Sequence, residues 1–145
     1  MSNKKISIKQ QVQNNLIAII SIVIAITSLA YNTWRNEQTE FNRNVRTSSF
    51  QILMSLAELQ LLVDSAFYNA VENNADPIKG WRHVLYVQDL AQTVSPKVKT
   101  DADNLHQVWT EHWQLMDEQE NSNKQINLAI ESNRQLVLST LQGLQ

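Results

Sequence analysis

The 145-residue chain has no cysteine. That excludes disulfides, thiolate metal sites and cysteine nucleophiles. It leaves the compartment open, because a cysteine-free chain suits either side of a membrane. Glycine and proline are scarce as well, with only Gly80, Gly143, Pro77 and Pro96. Strand-rich and mixed folds need many turns, and turns draw on these two residues. Nucleophile elbows, phosphate loops and dinucleotide folds need clustered glycines. The composition therefore predicts an all-α fold of few, long helices, and no enzyme of those classes. Asn-x-Ser/Thr acceptors are missing too, so glycosylation gives no hint of secretion.

Clustered positive charge is also lacking. The net charge of −2 hides an asymmetry. Residues 1–34 hold Lys4, Lys5 and Lys9 and no acid, a charge of +3. Residues 35–145 hold nine Lys and Arg against fourteen Asp and Glu, a charge of −5. Phosphate contacts need clustered Lys and Arg, so nucleic acid is not an expected partner.

What the chain does have is one long apolar run. Leu16 to Tyr31 carries no charge, and its polar side chains before Tyr31 are Ser21, Thr27 and Ser28. Both hydroxyl types bond back to helix carbonyls and are tolerated in lipid. A helix apolar on every face must be buried in protein or in lipid. The residues after it are too few to surround it, which disfavours a core helix. The run rises about 24 Å to Tyr31 and about 28 Å to Trp34, against a hydrocarbon core about 30 Å thick. Leu16, Ile20, Ile24 and Leu29 then face lipid, and Tyr31 and Trp34 form an interfacial belt. A cleaved signal peptide competes, since Ser28-Leu29-Ala30 puts small residues where a peptidase needs them. The long n-region, the long apolar segment and the unbroken helical pattern past Trp34 favour an uncleaved anchor. The division expected is a short basic tail over 1–14, a transmembrane helix over 15–34 and a helical bundle domain over 35–145. Lysine and arginine count three on each flank of the span. The short N-terminal tail is the easier one to retain in the cytoplasm, which places the domain outside, in the periplasm of a Gram-negative cell.

Four apolar stripes follow. In the first, Phe41, Val45, Ser48, Ile52, Leu56, Leu59, Val63, Ala66 and Ala70 recur at steps of four and three, a heptad-like pattern. Phe50, Leu53, Ala57 and Leu61 widen it, predicting deeper burial in the middle of a helix that runs to about Glu72. Asp76 and Pro77 then signal a second helix carrying Ile78, Trp81, Val84, Leu85, Ala91 and Val94. Gly80 sits in its first turns and weakens it. Ser95 and Pro96 start a third, with Val98, Ala102, Leu105, Trp109, His112 and Met116. Ser122 with Gln125 fits a capping box for a fourth, with Ile126, Ala129, Ile130, Asn133, Val137, Thr140 and Leu144; a single helix from Pro96 onward is the alternative. The expected architecture is an N-terminal transmembrane helix continuing into an antiparallel three- or four-helix bundle.

Chemistry-bearing residues are sparse. In the segment LHQVWTEHW, His106, Trp109 and Trp113 share a face and His112 lies to the other side of Trp109. They are the candidates for an aromatic, His-lined ligand or haem pocket. Against that, the indoles serve equally as core and the imidazoles as its edge. The two His point apart, so they cannot chelate one metal from one helix. No His-x-x-x-His or Glu-x-x-His pair exists, which disfavours a metal site. No cofactor is expected. Trp81, beside Arg82 and His83, either stacks on a ligand or caps the core. Phe41, Val45, Ile52, Leu56, Leu59 and Val63 either face a partner helix or pack within the chain. In the span, Ala18, Ser21, Ala25 and Ser28 have the spacing by which helices approach closely in lipid.

The stretch SLAYNTWRNEQTEFNRNVRTSSFQILMSLAELQ, from Ser28 to Gln60, resembles a family of small proteobacterial proteins with no assigned activity. GWRHVLYVQDL, from Gly80 to Leu90, is similar too. The resemblance covers about half of the chain. It implies a single-span inner-membrane protein of Gram-negative bacteria and brings no site residues. Together with the residues, it leads to an expected non-enzymatic helical module, anchored in lipid and acting as accessory subunit or scaffold. Its expected partners are a second copy or another membrane protein. The competing function is a periplasmic ligand-binding or sensory bundle built on the Trp/His cluster.

Overall fold

The structure is a computed structural model describing residues 8–68 and 76–144. Those residues are almost wholly helical, with no strand among them. The helices are α1 (Ile8–Asn14), α2 (Leu16–Tyr68), α3 (Pro77–Ala91), α4 (Pro96–His112) and α5 (Glu120–Gln142). A 3-10 turn, Trp113–Leu115, follows α4. Ala70 and Glu72, the expected end of the first stripe, lie outside the described residues, as do Lys4 and Lys5.

The chain divides into two compact units, residues 1–40 and 41–145. In the first, every Leu, Ile, Val, Tyr and Trp from Ile8 to Trp34 is exposed. Ser21 Oγ and Thr27 Oγ1 donate to the carbonyls of Ile17 and Val23, each at 2.8 Å, so neither hydroxyl is left unpaired. Tyr31 and Trp34 lie with ring centroids 6.1 Å apart. Part of α2 is long and apolar enough to cross a membrane: an 18-residue window has mean hydropathy 2.0, and none of it is buried.

In the second unit one hydrophobic core draws on α2, α3, α4 and α5. From α2 it takes Val45, Ile52, Leu56, Leu59, Val63 and Ala66. Ser49, rather than Ser48, completes that repeat. From the others it takes Val84, Val87 and Ala91, then Val98, Ala102, Leu105 and Trp109, then Ile126, Ala129, Ile130 and Val137. Polar pairs order the helices around it. Going up α2, Ser48, Gln51 and Ser55 meet Thr93, Tyr86 and His83, whose numbers fall. Gln60 and Val63 likewise meet Asn127 and Asn123 of α5. Asp101 and His112 of α4 meet Ser132 and Ser122.

Local signals set two helix starts as the sequence predicts. Asp76 accepts from the Ile78 N–H at 2.9 Å and Ser95 from the Val98 N–H at 3.2 Å, each before a proline at the first helical position. The last helix starts differently. Its cap is Gln119, with no side-chain hydrogen bond. Ser122 is buried, and its hydroxyl lies 3.2 Å from His112 Nδ1. A tertiary contact has taken the oxygen that a capping box would use. Three further expectations fail on α2: Phe50, Ala57 and Leu61 do not deepen the core but point outward. Ile78 and Leu85 of α3 are exposed as well. Helices pack only on the side facing the core stripe, so residues on the opposite side of each cylinder stay out.

Gly80 is not a weak point in α3. It is buried beneath the Trp109 indole, and a Cβ there would collide with Cζ2 and Cη2 of the ring. The missing side chain is what lets α3 and α4 approach around a fully buried Trp. In an open helix, Gly→Ala would stabilise by up to about 1 kcal/mol. Gly80→Ala is expected to destabilise by about 1–3 kcal/mol through overpacking, measured by thermal or chemical unfolding, and Trp109→Phe in the same chain should recover part of the loss. Asn133 gives a second test. It is fully buried, and among the described residues neither its Oδ1 nor its Nδ2 has a hydrogen-bond partner. Asn133→Leu is expected to raise stability by about 1–2 kcal/mol, because an unpaired buried amide is replaced by an apolar group of similar size.

Candidate functional site

The Trp/His segment comes together, but as packing. Trp109 is fully buried, and its Nε1 has no hydrogen-bond partner among the described residues. Trp81 of α3 is the hub. Its ring stands edge-on to His106 at 5.6 Å, to Trp109 at 6.3 Å and to Trp113 at 6.4 Å between centroids. Those separations are ordinary for aromatic pairs in contact. The rings therefore pack against one another around Trp81. His112 is turned away, toward Ser122 of α5. The two His thus have separate partners, and no group of three His, Cys, Asp or Glu among the described residues could hold a metal ion. The arrangement ties α3, α4 and α5 together at one end of the core.

The six partner-interface candidates divide. Val45, Ile52, Leu56, Leu59 and Val63 are covered by the chain's own helices, whereas Phe41 is exposed. Leu16, Ile20, Ile24, Leu29, Tyr31 and Trp34, the span candidates, are all exposed.

Two features stand apart from the sites that the sequence suggests. The first is the outer face of α2, where Phe50, Met54 and Leu61 are 58%, 71% and 63% exposed. Met54 joins Phe50, Ala57 and Leu61 at steps of four, three and four, a spacing that was available as a signal. The second is a groove of about 510 Å³ between α2 and α3, lined by Met54, Ser55, Glu58, Arg82, His83 and Tyr86 among others. Tyr86 donates to Gln51 Oε1 at 3.1 Å, tying the two helices together beside it. Ser55 Oγ lies 3.0 Å from His83 Nδ1 and donates to the His83 carbonyl at 3.4 Å, while Arg82 Nη2 lies 3.4 Å from Nε2. A neutral imidazole protonated at Nδ1 satisfies all three contacts: Nδ1–H donates to Ser55, and Nε2 accepts from Arg82.

Burial holds His83 below its ordinary 6.5, the Arg82 guanidinium adds to this, and the Glu58 carboxylate opposes both. The groove brings together an imidazole, a carboxylate and a hydroxyl, with Ser55 Oγ engaged with His83 on α3. No known protein family, curated protein or solved structure matches this chain.

The His83 shift has a stability consequence with a definite sign. The unfolded chain takes up a proton near pH 6.5 while the folded ring stays neutral. The folded state therefore keeps this contribution above that pH and loses it as the pH falls below, until the folded ring titrates too. Between about pH 7.5 and about pH 5.5, the melting temperature of the full chain should fall, and it should fall less in His83→Gln.

Proposed function

We propose that this chain is a single-pass membrane protein whose helical domain is an accessory subunit or scaffold, working through helix–helix contacts and performing no catalysis. One observation carries the proposal: an apolar helical stretch whose large side chains are all exposed and which no other described residue covers. Leaving so many Ile, Leu and Val in water costs about 1.5–3 kcal/mol for each side chain. Lipid removes that cost, and the paired hydroxyls of Ser21 and Thr27 suit it.

In this reading residues 41–145 form an antiparallel four-helix bundle, which the reversed numbering of the α2–α3, α2–α5 and α4–α5 contacts supports. The basic tail stays in the cytoplasm of a Gram-negative cell, the span crosses the inner membrane and the bundle stands in the periplasm. The partners are lipid, then a second copy or another membrane protein. Catalysis has no part in this reading, in which the aromatic rings serve as packing between helices.

Membrane fractions decide the matter. The full-length chain should stay in the pellet after alkaline carbonate, with its N-terminus at Met1 by mass spectrometry. Ile20→Lys with Ile24→Lys should move it to the supernatant, since each lysine near the centre of a span costs about 3 kcal/mol. A chain beginning at Tyr31, or one released by carbonate, would overturn the proposal.

A further inference from the structure

We infer that the outer face of α2, from Thr47 to Leu61, pairs in parallel with the same face of a second copy of this chain. The inference rests on the anchored reading, which gives two copies in one membrane the same orientation. It concerns a different face from the one that heptad spacing first picks out. Val45, Ile52, Leu56, Leu59 and Val63 are already covered within the chain. Opposite them, Thr47, Phe50, Met54, Ala57 and Leu61 form a second seam at steps of three, four, three and four, all exposed. The Thr47 hydroxyl donates to the Arg43 carbonyl at 3.0 Å, so its hydrogen-bonding need is met within the helix.

The charge pattern suits a like-on-like parallel pair. In that register the flanking residues that meet across the seam are Arg46 with Gln51 and Leu53 with Glu58. No like charges are brought together between Thr47 and Leu61. Arg43, the next residue at the same spacing on one side, would face its own copy, and Asp64 on the other is turned to Gln60 and Asn127 of its own chain, so the seam ends after about two heptads. The area points the same way. From the exposures of Phe50, Met54 and Leu61, pairing removes roughly 800 Å² from water over both copies. That is below the about 1,200 Å² of a stable free-standing complex. Such a seam suits copies that an anchor already concentrates and aligns. Earlier in α2, Ala18, Ser21, Ala25 and Ser28 have the small-residue spacing by which parallel spans approach one another.

The absence of cysteine makes the test clean. Full-length Met54→Cys, Ala57→Cys and Leu61→Cys chains, co-expressed with two different tags, are oxidised in their own membranes. Disulfide-linked dimers carrying both tags are expected, several-fold more abundant than from Thr110→Cys or Gln135→Cys, two exposed positions on α4 and α5. Adding Met54→Glu to the Ala57→Cys chain should abolish the dimer and leave the melting temperature unchanged, because Met54 is outside the core. Yields equal to those of the controls would overturn the inference, as would a linked species holding a different protein. Preferential linkage of Phe50→Cys to Ala57→Cys over either self-pair would overturn the parallel arrangement. Carbonate extraction of the same membranes separates the two failures: chains that stay in the pellet yet do not cross-link refute the seam alone, and chains that are released refute the anchor.

Discussion

Beyond Glu40, α2 is apolar on two opposite faces, and the remaining helices are too few to cover both. Each of α3, α4 and α5 has a single apolar face, and all three faces go to one core. A small domain keeps only a few kcal/mol of net stability, and each fully buried Leu or Ile contributes about 1.5–3 kcal/mol. The face that buries Ile52, Leu56, Leu59 and Val63 completely therefore outcompetes the one with Ala57 at its centre. Everything else about the domain follows from which face was chosen. Glu58 and Met54 become groove walls, Arg82 and His83 come to the surface seam, and Phe50 and Leu61 are left in water.

Apolar stripes alone would not fix the vertical register of such helices. Leu, Ile and Val stripes repeat every turn, and a slip by one turn restores most contacts. The polar pairs do not tolerate a slip. Asn123 Nδ2 donates to the Val63 carbonyl at 3.1 Å, and Gln60 Nε2 donates to Asn127 Oδ1 at 2.7 Å. Asn127 in turn donates to Asn123 at 3.0 Å. Sliding α5 along α2 would break this chain of amides and leave the buried Asn123 without its partner. Gly80 under Trp109 acts as a steric key between α3 and α4, since the indole fits only where the helix has no Cβ. Asn133 does neither job: among the described residues its amide has no partner.

How much of this was legible in the sequence depended on whether the cause was local. The starts of α3 and α4 were readable because Asp76-Pro77 and Ser95-Pro96 act within one turn of backbone. The break before α5 was misplaced because no glycine or proline marks it and because Ser122, the residue that imitates a cap, answers to His112 on another helix. The all-helical class followed from scarce breakers, and the apolar character of Leu16 to Trp34 from composition alone. The choice between the two faces of α2 was beyond reach, since Phe50-Met54-Ala57-Leu61 and Ile52-Leu56-Leu59-Val63 have identical steps. Only the number and placement of the other helices separates them. For the same reason Gly80 read as a weakness: its value lies in a Trp twenty-nine positions away in sequence. Trp81 read as one end of the core, and there it is the ring that three others meet, a junction that no local signal reveals.

The proposed seam is weak by design of its size, and that is consistent with an anchored protein. Two copies free in solution must lose several kcal/mol of translational and rotational freedom before a contact contributes anything. Copies held in one membrane have lost part of that freedom already and share an orientation, so a short run of Phe, Met, Ala and Leu is enough to bias them together. A longer or more apolar face would carry the opposite hazard, because an exposed patch of several hundred Å² also attracts unrelated surfaces. Arg46 and Glu58 beside the seam limit that hazard, since a foreign helix carrying a like charge at either position is repelled, whereas a second copy in register sets the uncharged Gln51 and Leu53 against them.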